Sequence, residues 1–130
     1  MNYYRIILLI MSLLVVTCYG AKAQKIDKKS LAKKWKLVGY QYGKTWHKPS
    51  SKERGDYILL RNNQTYVSVS EGKTETGKWS LNTNGKYIRF WDKQGKSIRF
   101  FVRVLKTNRL VMKADIEDMR EIDIHYVPTK

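Results

Sequence analysis

Three groups of residues have the types that chemistry needs. Gly72, Gly77 and Lys78 in "GKTETGKW" (72–79) fall at the spacing of a phosphate-binding loop. His47 and His125 supply imidazoles. Asp115, Glu117, Asp118, Glu121 and Asp123 crowd five of the chain's eleven acids into one late segment. Each group fails a chemical test. A phosphate loop needs Ser or Thr after its lysine to hold magnesium, a strand before it and a helix after it. Trp79 occupies that position, and "WSL" continues an alternating run. Two histidines without cysteine, or a carboxylate at ligand spacing, do not make a zinc site. Serines are plentiful, yet there is no Gly-x-Ser-x-Gly and no base partner for a nucleophile. The sequence therefore names no catalytic residue, no metal ligand and no cofactor, and the expected function is binding rather than catalysis.

The elements that must position any site are short and alternating. After the lead-in "KIDKKSLAKK" (25–34), where Ser30 is placed to cap one helical turn, "WKLVGYQY" (35–42) reads as a first strand and 44–55 as a loop. From Asp56 onward "DYILL", "TYVSVS", "ETGKWSL", "KYIRFW", "SIRFFVRVL", "RLVMKA" and "EIDIHYV" are each closed by a break containing Gly, Asn or Asp, the last of them by Pro128. Gaps this short cannot hold crossover helices, so successive strands must pair antiparallel. Eight strands in that order remove their exposed edges by closing. The expected fold is all-β: an eight-stranded antiparallel up-and-down barrel.

Parity assigns the faces. Trp35, Leu37, Leu59, Trp79, Leu81, Ile88, Phe90, Ile98, Phe100, Val102, Val104, Leu110, Met112, Ile124 and Tyr126 form the inward set. Strand 65–70 is ambiguous: either Thr65, Val67 and Val69 or Tyr66, Ser68 and Ser70 face the lumen. On the outside, Glu121, Asp123 and His125 would lie beside Arg109 and Lys113. Cross-strand pairs of that kind balance charge locally, which is the reading given to the acidic segment.

The N-terminus reads as an export signal. Arg5 precedes an apolar run from Ile6 to Val16, too short to cross a bilayer, and Ala21-Lys22-Ala23 offers the small-x-small cleavage pattern. Residues 1–23 are expected to be removed, leaving a single domain, 24–130, that is periplasmic or secreted and lacks a transmembrane segment. A lipid anchor on Cys18 is the rival reading, but Thr17 precedes it where a lipoprotein signal places a small residue. Without the leader the chain has no cysteine, which excludes disulfides and thiolate chemistry. The formal net charge of the whole chain is +15. A field of that sign attracts anionic lipids, acidic glycans and nucleic acid, and export argues against the last.

"LAKKWKL" (31–37), "YILLRNNQTY" (57–66), "GKWSLNTNGKYIRF" (77–90) and "VLKTNRLVM" (104–112) together resemble the lipocalin-like domains common in secreted proteins of Bacteroidetes-type bacteria. Lys33 departs from the glycine usual in the first motif. The resemblance implies a small barrel open at one end that binds a small apolar or amphipathic molecule, and it implies no catalysis. The lumenal candidates are Trp35, Tyr66, Trp79, Phe90, Phe100, Met112 and Tyr126. A second candidate is the outer row Arg89, Trp91, Arg99, Phe101, Arg103 and Lys113, where aromatics alternate with cations. That face suits an anionic envelope lipid, glycan or protein, with the barrel interior filled. N-terminal sequencing of the chain recovered from its host is expected to begin at Gln24; a blocked, lipidated Cys18 would refute that cleavage site.

Overall fold

The computed structural model describes residues 25–130; the leader, its cleavage site and Cys18 lie outside the described residues. One helical turn, α1 (Lys28–Leu31), is followed by nine strands: β1 (Lys34–Tyr42), β2 (Thr45–His47), β3 (Tyr57–Leu60), β4 (Thr65–Ser70), β5 (Lys73–Asn82), β6 (Tyr87–Asp92), β7 (Ser97–Lys106), β8 (Arg109–Ala114) and β9 (Ile122–Thr129). From β3 to β9 every strand pairs antiparallel with the next, and β1 joins both ends by pairing with β3 and with β9. The result is a closed eight-stranded barrel. Closure gives the edge strands partners for N–H and C=O groups that would otherwise be exposed. The tight β4–β5 turn shows how local chemistry fits this plan. Glu71 and Gly72 both have positive φ, 51° and 80°, as a two-residue hairpin turn matched to strand twist requires.

Three local expectations are corrected. The segment 44–55 is not all loop: β2 pairs with the end of β1 through Tyr40↔His47, Gln41↔Trp46 and Tyr42↔Thr45, and a 3₁₀ turn follows at Ser51–Glu53. The ninth strand is thus a short arm on the barrel, not a ring member. β9 also runs on through Pro128, which faces Trp35, because its pairing with β8 has ended at Tyr126 and a residue without N–H is tolerated there. The helical turn is capped by Asp27, whose carboxylate accepts the Ser30 N–H at 2.7 Å, and not by Ser30.

The faces follow parity except where a bulge interrupts it. Between Val102 and Val104 the β7–β8 register shifts by one residue. Val104 therefore turns outward and is exposed, while Leu105 takes the buried position opposite Leu110. A bulge lets two residues oppose one, so parity counted from Ile98 fails beyond it. In β3 the buried residue is Leu60, with Leu59 only half-buried. "YILL" is apolar at every position and has no alternation to read; its register, with Ile58 opposite Trp35 and Leu60 opposite Tyr66, decides. That register also resolves β4. Tyr66 and Ser68 lie opposite Leu60 and Ile58, so Tyr66, Ser68 and Ser70 are the inward set.

One end of the barrel is solid. Leu31, Trp35, Trp79 and Leu60 are almost wholly buried there. Both indoles are tied to the backbone, Trp35 Nε1 donating to Leu31 O at 2.8 Å and Trp79 Nε1 to Arg61 O at 3.0 Å. Trp79 thus belongs to a core strand, and Gly77 serves the sheet rather than a phosphate. A Cβ at Gly77 would collide with the Trp91 carbonyl oxygen and approach the Tyr66 ring at 2.9 Å. Overpacking of this kind costs about 1–3 kcal/mol, so Gly77→Ala is expected to lower the unfolding free energy obtained from urea melts by that amount. Gly55→Ala, which meets nothing within 4 Å, should stay within about 0.5 kcal/mol of the parent.

Candidate functional site

The end of the barrel opposite the tryptophans is hollow. A cavity of about 220 Å³ opens there, and Leu37, Ile58, Phe100, Met119, Ile124 and Tyr126 supply much of its apolar lining. Tyr40, Asp56, Ser68 and Ser70 line it too, with Tyr57 of β3 and Val69 of β4. Four elements create this mixture. β1 carries a bulge between Leu37 and Gly39, so that Gly39 faces out while Tyr40, opposite Ile124, turns in. β4 contributes the serines by its register, the start of β3 contributes Asp56, and the 3₁₀ turn after β8 (Glu117–Met119) folds Met119 over the opening. Small serines on one strand leave the room that bulky residues fill elsewhere.

The polar groups of the cavity are held in place. Asp56 is buried and accepts the Glu71 N–H at 2.8 Å, which anchors the β4–β5 turn to the start of β3. The Tyr40 hydroxyl donates to Glu53. Burial, and then that carboxylate, push the Tyr40 phenol well above its ordinary range. Burial does the same to Tyr126, with the Asp56 charge adding to it. Both phenols are therefore neutral O–H donors throughout the physiological range. The arrangement interleaves apolar side chains with hydroxyls and one carboxylate, Ser68 standing opposite Ile58 and Tyr40 opposite Ile124. It can hold a small molecule with a polar end.

Of the seven lumenal candidates, Phe100 and Tyr126 line this cavity. Trp35, Trp79, Met112 and Phe90 pack in the core below it. Tyr66 is buried against Phe90, the rings edge to face at 5.0 Å. Tyr40, Asp56, Ile58 and Met119 were not singled out by the sequence. A bulge hides the parity of Tyr40, and Met119 sits in a turn where periodicity gives no direction. The serines were legible as one of two alternatives on β4.

The outer row assembles as expected and gains Tyr87. Arg89 and Arg99 are direct cross-strand partners on β6 and β7, and Tyr87 and Phe101 are the next pair. Arg99 stacks over Tyr87 and Phe101 at 5.3 and 5.8 Å, and Arg89 over Tyr87 and Trp91 at 5.8 and 5.9 Å. Opposed like charges repel, and Asp115 relieves the repulsion by accepting from Arg99 at 2.6 Å and from Arg120 at 3.2 Å. Further along, Asp123 lies 3.7 Å from Lys113 and 3.9 Å from Arg103. Two of the five acids of the late segment, Asp115 and Asp123, thus balance outer cations, whereas Glu121 accepts from the Tyr42 hydroxyl at 3.0 Å instead of lying against Arg109 or Lys113. His125 is on the same outer side, its ring edge-on to Trp46 at 5.0 Å. Burial and neighbouring Arg109 hold its imidazole below the usual range, against the pull of Asp123. His47 is exposed on β2.

A family model described as a lipocalin-like domain matches residues 31–112, from the end of α1 through most of β8. No curated protein and no solved structure matches the chain. The matched span contains the tryptophan floor, both serines of the cavity and most of the outer row. Among the described residues no helix is long and apolar enough to cross a membrane.

The Arg99–Asp115 pair makes stability depend on pH with a definite sign. The two arginines hold the Asp115 carboxyl below its usual value of 3.8, so the folded state keeps it ionised where the unfolded chain protonates it. Its contribution is complete above pH 3.8 and disappears as pH falls through the lowered folded value. Asp115→Asn should therefore destabilise the chain at pH 7, and the difference from the parent should shrink steadily in urea melts taken below pH 4.

Proposed function

The chain belongs to the lipocalin-like domain family, and from that premise we propose that it binds a small amphipathic molecule in the hollow end of its barrel. Export to the periplasm or the exterior, with removal of residues 1–23, is part of the same proposal and is supported by the apolar run and the Ala-x-Ala pattern of the N-terminus. The supporting observation for the ligand is the cavity of about 220 Å³ whose lining combines apolar residues with Asp56, Ser68 and Ser70.

Size and polarity narrow the ligand class. At about 30 Å³ per water the cavity has the room of roughly seven waters, below the range of about 300–1,000 Å³ for drug-sized ligands. A short aliphatic or small aromatic portion fits beside Phe100 and Ile124. The tryptophan floor stops deeper entry. Its polar end meets the serine hydroxyls, the Tyr40 and Tyr126 phenols and the Asp56 carboxylate, which together favour a hydroxyl, amide or amine over a second carboxylate.

Filling the cavity tests the reading. Ser68→Phe places a ring in the space between Ile58 and Phe100, on a β4 position that is only half-buried. An environment-sensitive naphthylamine probe should bind the parent chain and be displaced by short-chain alcohols and amines. In Ser68→Phe its affinity should fall by at least about tenfold, about 1.4 kcal/mol, while Arg103→Ala leaves it unchanged. Equal probe binding by the parent and by a folded Ser68→Phe chain would contradict the lumenal site.

A further inference from the structure

A second concavity lies outside the barrel, across β5, the strand of the "GKTETGKW" segment. Thr65, Lys78 and Trp91 stand side by side on β4, β5 and β6. All three have the parity opposite to buried Tyr66, Trp79 and Phe90, so they face outward. The strands are staggered: β4 covers β5 up to Lys78, and β6 covers it from Gly77 onward. The turns 61–64 and 93–96 consequently rise on the two sides of β5. Between them runs an open groove of about 1130 Å³, five times the volume of the lumenal cavity.

Its chemistry is that of one aromatic plate among cations and neutral hydrogen-bonding groups. Trp91 is half-buried in the groove, with Arg89 near one end of its ring system at 5.9 Å. Arg61, Lys78 and Lys93 line the walls and are exposed, and among the described residues none of them forms an ion pair. The one acid lining the groove is Asp92, and its Oδ1 already accepts the N–H groups of Gln94 and Lys96 at 2.9 Å each. Its charge is thus committed to its own turn. Buried Tyr66 and Trp79 also border the groove, and Asn63, Gln64 and Ser80 are among the amide and hydroxyl groups of its lining.

We propose that this groove binds an acidic polysaccharide, one sugar ring stacking on Trp91 while Arg61, Lys78 and Lys93 hold its carboxylates or sulfates. Charge complementarity carries the sign of the partner: the chain has a net charge of +15, and the groove's three cations have no internal counterion. The aromatic content carries its class. A single-stranded nucleic acid stacks successive bases on successive rings. The groove itself offers one accessible ring, Trp91: Tyr66 and Trp79 border it but are buried, and Tyr87 and Phe101 on the same outer side do not line it. A lipid surface needs apolar side chains that protrude. The exposed large apolar residues are Tyr42, Trp46, Val104 and Ile116, none of which lines the groove. Neutral amides and hydroxyls beside one indole match a sugar's own hydroxyls.

Titration calorimetry on the host-produced chain tests this with three probes: a linear oligouronate, a neutral glucan of equal length, and oligothymidylate. The oligouronate should bind, and its affinity should fall steeply as added salt shortens screening from about 10 Å at 0.1 M to about 3 Å at 1 M. Trp91→Phe keeps an apolar ring for the fold but shrinks the plate. It and Lys78→Ala should each weaken the oligouronate by roughly tenfold, in line with single stacking contacts. Lys106→Ala, at the end of β7 away from the groove, should match the parent. Tight binding of the neutral glucan, oligothymidylate binding better than the oligouronate, failure of the oligouronate to bind, or indifference to both groove variants would each overturn the proposal. Because Ser68 is inside the barrel and Trp91 outside, loss of one activity is separable from loss of the other.

Discussion

Everything in this molecule depends on the pairing of its first long strand with its last. β1 and β9 meet through eight register pairs, from Lys34↔Thr129 to Tyr42↔Ile122. Without that seam the chain would be an open meander with two bare edges and a half-exposed tryptophan floor. The seam joins residues some ninety positions apart, and long-range pairings of this kind slow folding. It also carries the irregularity that makes the site. The bulge between Leu37 and Gly39 turns Tyr40 inward to the cavity and presents Gly39 outward, where the Trp46 ring of the β2 arm lies directly on it.

A barrel of eight strands is barely wide enough to hold anything beyond its own side chains. This one divides its interior in two. Trp35, Trp79, Leu31 and Leu60 fill one half to near-complete burial, and their indole N–H groups are satisfied by backbone carbonyls, so that half is dry and fixed. The other half is left open because β4 offers serines and Asp56 immediately precedes β3. Asp56 is the joint between structure and site. Its carboxylate holds the β4–β5 turn through the Glu71 N–H, while its charge is felt by the Tyr126 phenol in the cavity wall. The outside is organised by a different rule. Arginines lie on aromatic faces, acids of the late segment neutralise them in turn, and the net positive charge is left concentrated where no acid reaches.

The architecture was legible because turn chemistry and alternation are strong over most of the chain. Every ring strand announced itself, and the tryptophan of "GKWSL" could be placed inside by parity alone. What escaped was set by interactions that a single strand does not contain. The Val102/Val104 bulge exchanges Val104 for Leu105, and only the β8 partner reveals it. The uniformly apolar "YILL" has no period, so Leu60 over Leu59 needs the register with Tyr66. The β2 arm is three exposed residues, too short and too polar for a periodic signal. At the site, aromatic bulk drew attention to Trp35, Trp79 and Met112, which form the packed floor. The cavity itself is marked by small and polar residues, Ser68, Ser70 and Asp56, whose significance lies in the space they leave. The outer row was visible because parity holds from Tyr87 to Trp91 and from Arg99 to Phe101, ahead of the β7 bulge; Tyr87 was missed as a partner of Arg99 because cation–aromatic stacking crosses between strands.

The most direct test of a lumenal site is methyl NMR of the chain titrated with short-chain alcohols, acids and amines. The account predicts shifts concentrated on Ile58, Met119 and Ile124, with the floor residues Leu31 and Leu60 unmoved and the alcohols and amines ahead of the acids. Shifts confined to outer methyls such as Val104 and Val127, or none on the three cavity residues across the whole series, would contradict it.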